Sequence, residues 1–190
     1  MTTYIQAAAT SRPLPYISPQ IRSVARIVAG SLLIALCAQI KIPLFFTPVA
    51  LSLQTLAILL IGCTFSTHEA VLTTLLYTAE GAAGLPFFIG GGSGLAHLMS
   101  PTAGYLFGFT LQAFLVGKLR DLRAHPSFSY LLASCLIGCF AQMILGICWL
   151  SNFTGWKNVL LCGFYPFVLG EIAKSSIVAT MIKVFSTKAK

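Results

Sequence analysis

The sequence predicts an all-α integral membrane protein with six transmembrane helices, and two observations lead to this fold class. The first is composition: 57% of the 190 residues are hydrophobic, only 8% are charged, and the mean hydropathy is +0.88, whereas soluble domains carry roughly 25% charged residues. The second is that the apolar residues form separate blocks, which suit helical spans of about 20 residues better than the alternating strands of a β-barrel. An ordinary soluble domain, a disordered chain and a secreted disulfide scaffold are excluded.

The six predicted helices follow one another with short polar or proline-containing breaks. Pro43 and Pro48 bracket the loop after the first helix, and a polar junction at 66–69 separates the second helix from the third, which is short for a full span. A cationic loop precedes the fifth helix. The apolar blocks cover residues 24–40, 49–65, 71–79, 105–117, 128–150 and 159–184.

The positions of the basic residues predict the orientation in the membrane. Nine of the twelve Lys and Arg residues lie in three clusters, at 12, 22 and 26, at 118, 120 and 123, and at 183, 188 and 190. By the positive-inside rule, both termini are cytoplasmic in a multi-pass protein of the bacterial inner membrane, surrounded by lipid. The net charge of +8 is then explained by basic residues on the cytoplasmic side of the membrane, and no nucleic-acid partner is expected. The chain divides into a cytoplasmic N-terminal segment at 1–22, a six-helix membrane domain at 23–185 and a cytoplasmic tail at 186–190.

The segment 80–104, between the third and fourth helices, is punctuated by glycine and proline and is nevertheless apolar. Irregular backbone at membrane depth is tolerated only where it lines a cavity or is covered by protein. With the orientation above, the segment lies on the outer side. It is predicted to form a re-entrant lid over a pocket, and a flexible surface loop is the alternative.

Glu171 and Lys174 are the strongest single feature of the sequence. At a spacing of i, i+3 they share one face of the last helix and can touch. A charged residue near the bilayer centre costs on the order of 2.5–3.5 kcal/mol on insertion scales, so two of them in so charge-poor a chain need a reason. Two interpretations remain open: a structural ion pair that holds the bundle together, and a charged pair that faces a cavity and binds a polar ligand.

Motifs for catalysis, nucleotides and metals are missing from the sequence. The glycine run is not followed by the Lys that a phosphate-binding P-loop requires, and the six cysteines have no C-x-x-C spacing. No metal site, no cofactor and no enzymatic activity are therefore expected. If the chain moves a solute uphill, the energy must come from an ion gradient or from a partner protein.

Weaker candidates come from single side chains. Gln54 lies near the loop after the first helix, and Gln142 lies inside the fifth helix, where such a residue more often joins helices than contacts a ligand. Aromatic residues near the outer ends, among them Phe88 and Trp149, suit either a ligand or the interfacial belt. Ala25 and Ala29 form a small-x-x-x-small pair that permits close helix approach.

Several ordered motifs together resemble the BioY family. They are FTPVALSLQTLAILLIG at 46–62, GLPFFIGGGSGL at 84–95, SPTAGYLFGF at 100–109 and PFVLGEIAK at 166–174. The similarity covers most of residues 30–178. One departure is Glu171, which stands where the family usually has Asp.

The resemblance implies the function. Members of this family are the biotin-specific substrate-binding subunits, or S components, of energy-coupling-factor (ECF) vitamin transporters. The implied partners are biotin, a transmembrane coupling protein and two ATPases, with ATP bound only by the latter. A self-sufficient facilitator or ion-coupled carrier of biotin or a related solute is the alternative, and an intramembrane enzyme using Glu80 or Glu171 ranks lowest.

The resemblance also implies the site residues. The implied ligand pocket, together with the aromatic candidates, comprises Gln54, Phe88, Gly90, Gly91, Tyr105, Trp149, Glu171 and Lys174. The implied docking surface for the partner is the first helix, at Ala25 and Ala29. If biotin binds, its ureido group is expected to meet Glu171 and Lys174, and its carboxylate to lie towards the polar loop near His97 or Ser100.

Overall fold

The computed structural model describes residues 18–188, and these residues form a bundle of six long helices with one additional single-turn helix, α6. The helices are α1 (Pro19–Gln39), α2 (Gln54–Thr64), α3 (Thr67–Ala82), α4 (Ala103–Asp121), α5 (Phe128–Thr154), α6 (Val159–Gly163) and α7 (Tyr165–Lys188). The predicted all-helical class is confirmed. Of the predicted cytoplasmic segment at 1–22, residues 1–17 lie outside the described residues, as do residues 189–190 of the predicted tail.

Serine caps explain where several helices begin. The Ser18 side chain accepts a hydrogen bond from the Ile21 amide, and Pro19 stands in the first turn, where no amide donor is needed. Ser66 and Glu69 form a capping box at the start of α3, which satisfies two otherwise unpaired amide groups. This cap lets α3 begin at Thr67, so the helix has 16 residues and is longer than the predicted block at 71–79.

The second and last predicted helices differ from the observed ones. The second helix begins at Gln54 rather than at residue 49, because the preceding chain folds back as a short antiparallel hairpin of β1 (Lys41–Ile42) and β2 (Leu51–Ser52). The last predicted helix is divided at Phe164. Pro166 follows in the first turn of α7, and a proline there cannot continue the hydrogen-bond ladder of a preceding helix.

The connection between α3 and α4 is irregular but anchored. It contains two 3₁₀ turns, Ile89–Gly91 and Leu95–Met99. Phe88 is fully buried, meets Tyr77 edge to face at 5.8 Å and stacks on His97 at 4.8 Å between ring centroids. The segment is therefore tied to the bundle through a core residue.

Helix α4 is central, because it packs against α5 along most of its length and also against α2 and α3. Glycines make this approach possible. A Cβ atom on Gly108 would lie 2.8 Å from the backbone oxygen of Gln142, closer than real Cβ contacts allow, and one on Gly138 would lie 2.6 Å from Val116. The distance between α4 and α5 is thus set by residues without side chains.

The outward faces of the helices are apolar. Leu36, Leu169 and Phe185 are 68%, 79% and 64% exposed, respectively. Among the described residues, α1 and α5 are long and apolar enough to cross a bilayer, and α2 is a shorter apolar helix. Large apolar side chains on the surface of a soluble monomer would form an unusually extensive patch, and this surface suits a membrane protein.

The contact between Gly108 and α5 gives a prediction about stability. In an isolated helix, Gly→Ala is favourable by about 1 kcal/mol. At Gly108 the added methyl group would overlap backbone, and we expect Gly108→Ala to lower the free energy of unfolding by about 1–3 kcal/mol. Thermal unfolding of the detergent-solubilised chain measures the change.

Gly170→Ala is the matched control within α7. Its new methyl group would lie 3.2 Å from the Leu51 Cδ1 atom, the movable end of a side chain, so this variant should be as stable as the wild type or more stable. Equal stabilisation by both substitutions would contradict the close packing of α4 on α5.

Candidate functional site

A cavity of about 580 Å³, counted with the space at its mouth, lies between the β1–β2 hairpin, the α3–α4 connection and helices α2, α4, α5 and α7. The lining residues are Val49, Ala50, Ser52, Gln54, Thr55, Ile89, His97, Thr102, Tyr105, Leu106, Phe109, Gln142, Met143, Phe167, Glu171 and Lys174. About half of these residues carry polar side chains, although most of the lining surface is apolar.

A charged cluster lies in the wall of the cavity. The Nζ atom of Lys174 donates to Glu171 Oε1 at 2.9 Å and to the hydroxyl oxygen of Thr55 at 2.8 Å. The same hydroxyl group donates to Glu171 Oε1 at 2.9 Å. Glu171 and Lys174 are only 5% and 6% exposed. The three side chains therefore form a closed, buried triangle that joins α2 to α7.

The second carboxylate oxygen of Glu171 faces α5. It accepts a hydrogen bond from the Cys139 thiol at 3.3 Å, and Cys139 in turn accepts one from the Gln112 amide at 3.3 Å. Both oxygens of the carboxylate thus have partners within the protein. The ammonium has three N–H groups, and the third has no acceptor among the described residues, so it remains for a ligand.

Gln54 is the first residue of α2 and is held by its own network. Its amide nitrogen donates to the Tyr77 hydroxyl oxygen at 2.6 Å, and its carbonyl oxygen accepts from Ser52 at 3.0 Å. The Tyr77 hydroxyl group donates onward to the backbone oxygen of Phe87 at 3.1 Å. This chain of hydrogen bonds connects the cavity to the α3–α4 connection.

An aromatic wall lies beside the charged cluster. The Tyr105 hydroxyl group donates to the backbone oxygen of Gly163 at 2.8 Å, which fixes the ring of Tyr105, and the ring centroid lies 6.4 Å from that of Phe167. Phe109 completes this side of the cavity. A flat apolar ligand would find large, rigid surfaces here.

His97 borders the cavity from the α3–α4 connection. Its ring stacks on Phe88 with an angle of 19° between the ring planes. Burial lowers the pKa of His97 below its usual value, because the charged form loses hydration. The imidazole is therefore neutral at pH 7 and offers one donor and one acceptor.

The structure brings four of the eight predicted ligand residues together in the cavity lining, namely Gln54, Tyr105, Glu171 and Lys174. The other four do not line it, and their ligand contacts stay predictions. Phe88 lies in the core, and the indole nitrogen of Trp149 donates to the Ser100 backbone oxygen at 2.9 Å. Gly90 and Gly91 are exposed, with φ of 66° and 79°, next to the lining residue Ile89.

Thr55 is the main functional residue that the sequence did not single out. The signal was a hydroxyl group inside an apolar helix, directly after Gln54, but many such threonines only bond to their own helix. Phe109 and Phe167 were not singled out either, because nothing in the sequence distinguishes them from the other aromatic residues. Gln142 was noted only as a helix-joining residue, and it lines the cavity.

The two small pairs on α1 have different environments. Ser31 and Ala35 are buried in the bundle, whereas Ala25 and Ala29 are exposed.

Among residues 18–188, no three His, Cys, Asp or Glu side chains are grouped so that they could hold a metal ion. The arrangement is therefore chemically suited to holding a polar ligand against a charged, hydrogen-bonded cluster.

Comparison with known proteins identifies related chains. A sequence model of the BioY family matches residues 6–190. Biotin transporter BioY2 of Lactococcus lactis subsp. cremoris is 33% identical over 159 residues, which are 82% of this chain and 85% of the relative. Biotin transporter BioY of Thermotoga maritima is 34% identical over 148 residues, which are 77% of this chain and 85% of the relative.

The fold also matches a solved structure. A crystal structure of the S-component for biotin from an ECF-type ABC transporter superposes with a TM-score of 0.76, with 90% of this chain and 95% of that chain covered at 22% sequence identity. At this identity the match shows the shared fold. Together with the family match over residues 6–190, these findings show that the chain belongs to the BioY family.

Proposed function

We propose that this chain takes up biotin across the plasma membrane as the high-affinity, biotin-binding S component of an ECF transporter. The observation that carries the proposal is the buried triangle of Thr55, Glu171 and Lys174 in the wall of a cavity, in a chain whose relatives are biotin transporters. The chain is accordingly a transport subunit rather than an enzyme, and it needs no cofactor of its own.

The chemistry of biotin suits this cavity. The ureido group has a carbonyl oxygen that can accept the remaining N–H of Lys174, and the fused rings can lie against Tyr105 and Phe167. A buried site built to hydrogen-bond its ligand rejects analogues that lack the matching group by large factors. The valerate carboxylate then extends towards His97 at the edge of the cavity.

The finer topology is part of the proposal. Six helices cross the membrane, and both termini are cytoplasmic, as the clustering of Lys and Arg favours. The α3–α4 connection then lies outside and acts as a lid. Gly90 and Gly91, like Gly84 and Gly94, have positive φ values there, which favour glycine.

We place the energising partners on the cytoplasmic half of α1. Ala25 and Ala29 are exposed there and leave room for close approach of another helix. The partners are a transmembrane coupling protein and two ATPase subunits. Supply of energy by such partners agrees with the absence of nucleotide motifs from the sequence.

Biotin binding and the substitution Lys174→Met test the central part of the proposal. Isothermal titration calorimetry of the purified wild-type chain, without partners, should show tight binding at one site. Lys174→Met removes the remaining donor and leaves Glu171 buried without its counter-ion. We expect it to weaken biotin binding by roughly 10- to 100-fold, because a hydrogen bond from a charged group is worth about 1.5–3 kcal/mol.

The same substitution elsewhere on α7, Lys183→Met, serves as the control, since Lys183 does not line this cavity. Size-exclusion chromatography and thermal unfolding check that both variants are folded. No biotin binding by a folded wild-type chain would refute the assignment of the ligand, and unchanged affinity in Lys174→Met would make the triangle purely structural.

The substitution Ala29→Leu separates binding from energised transport. A larger side chain should block close docking on α1, and we expect biotin uptake by cells that carry the partner subunits to fall roughly 10- to 100-fold, the effect of a steric penalty of about 1–3 kcal/mol. Biotin affinity of the isolated chain should be unchanged, since Ala29 is remote from the cavity lining.

Val28→Leu, a neighbouring exposed position on α1, is the matched control and should transport normally. Normal uptake by Ala29→Leu would contradict this docking surface. Full uptake in cells that lack the coupling protein and ATPases would instead favour the self-sufficient carrier.

A further inference from the structure

Gln142, on α5, is a buried polar residue whose side-chain amide has no hydrogen-bond partner in the described part of the chain. It is 3% exposed and lines the cavity. No side-chain hydrogen bond joins its amide to any of residues 18–188. A side-chain amide that lines a cavity and has no partner within the protein can form hydrogen bonds with a ligand in that cavity.

The direction of the Gln142 amide is inferred from the contact of its Cγ atom with α4 and from the exposure of its amide atoms. Gly108 lies against Gln142 so closely that an added Cβ atom would be 2.9 Å from the Gln142 Cγ atom. The amide atoms of Gln142 are not sealed within the protein, in contrast to the buried, unpaired carbonyl oxygen of Gln112 on α4. Because the residue lines the cavity, its amide group faces the cavity space.

The other polar groups around the cavity are largely occupied. Glu171 accepts hydrogen bonds on both oxygens, and Gln54 uses both ends of its amide. Lys174 retains one donor but has no acceptor to offer. The amide of Gln142 offers a donor and an acceptor side by side, and neither is used within residues 18–188, so it can meet a ligand that carries N–H and C=O groups together.

We propose that Gln142 determines specificity for the ureido group of biotin by pairing its amide with one edge of the cyclic urea. The side-chain N–H donates to the ureido oxygen, and the side-chain oxygen accepts from the adjacent ureido N–H. An amide and a cyclic urea present matching donor–acceptor pairs, so two parallel hydrogen bonds form. This inference rests on the proposed function, since it assumes that biotin occupies the cavity.

The test compares ligand analogues in wild-type and Gln142→Met chains. Met has nearly the size of Gln but no hydrogen-bonding amide. We expect Gln142→Met to weaken biotin binding by roughly 10- to 100-fold in calorimetry, the effect of one or two lost hydrogen bonds. We also expect the analogue in which sulfur replaces the ureido oxygen to bind the wild type less tightly than biotin does, because sulfur is a weaker hydrogen-bond acceptor. The ratio of the two affinities should shrink about tenfold in Gln142→Met.

Two controls separate recognition from packing. Desthiobiotin keeps the ureido group and lacks the ring sulfur, so its affinity relative to biotin should be the same in wild type and variant. Gln20→Met changes the same residue type at an exposed position on α1, outside the cavity lining, and should leave the ratio for the sulfur-substituted urea unchanged. If Gln142→Met does not fold, Gln142→Asn can replace it, because its side chain is shorter by one methylene group. This variant should show the same reduced ratio of the affinities for biotin and the sulfur-substituted urea.

The outcomes are distinct. Failure of the wild-type chain to bind biotin would overturn the proposed function itself. Wild-type affinity in folded Gln142→Met, or weaker binding with an unchanged analogue ratio, would overturn only the role of Gln142. A reduced ratio that is confined to Gln142 variants would support it.

Discussion

The buried contact between Lys174 and Glu171 is the interaction on which the architecture of the site depends. Each charge alone would be costly in a bundle with so little polar surface, and together they share the Thr55 hydroxyl group. Through Cys139 the carboxylate also meets α5. One ion pair therefore joins α2, α5 and α7 and leaves a single N–H of the ammonium without an acceptor among the described residues.

Close helix packing lets the apolar bundle hold this polar cluster. Gly108 and Gly138 bring α4 against α5, and the break at Phe164 turns the chain so that Pro166 starts α7 beside the cavity. The hairpin before α2 and the anchored segment around Phe88 lie beside the cavity. The cavity is thus enclosed mainly by hydrogen-bonded and packed elements, which reduces the conformational entropy that the protein must lose when a ligand binds.

The helical class, the long α5 and the charged pair could be predicted from the sequence, because composition and i, i+3 spacing are local signals. The start of α2 at Gln54 and the break at Phe164 depend on how the chain folds back on other elements. The roles of Thr55 and Gln142 likewise appear only when α2, α5 and α7 meet. Trp149 and Phe88 illustrate the reverse: an aromatic residue near a loop gives no sign of whether it faces a pocket, the core or lipid.

The most direct measurement is an experimental structure of the chain with biotin bound. It should place the ureido oxygen within about 3.2 Å, a hydrogen-bond distance, of the Lys174 Nζ atom, with the fused rings between Tyr105 and Phe167 and the triangle of Thr55, Glu171 and Lys174 intact. Biotin bound outside this cavity, or with its ureido group turned away from Lys174, would contradict the account.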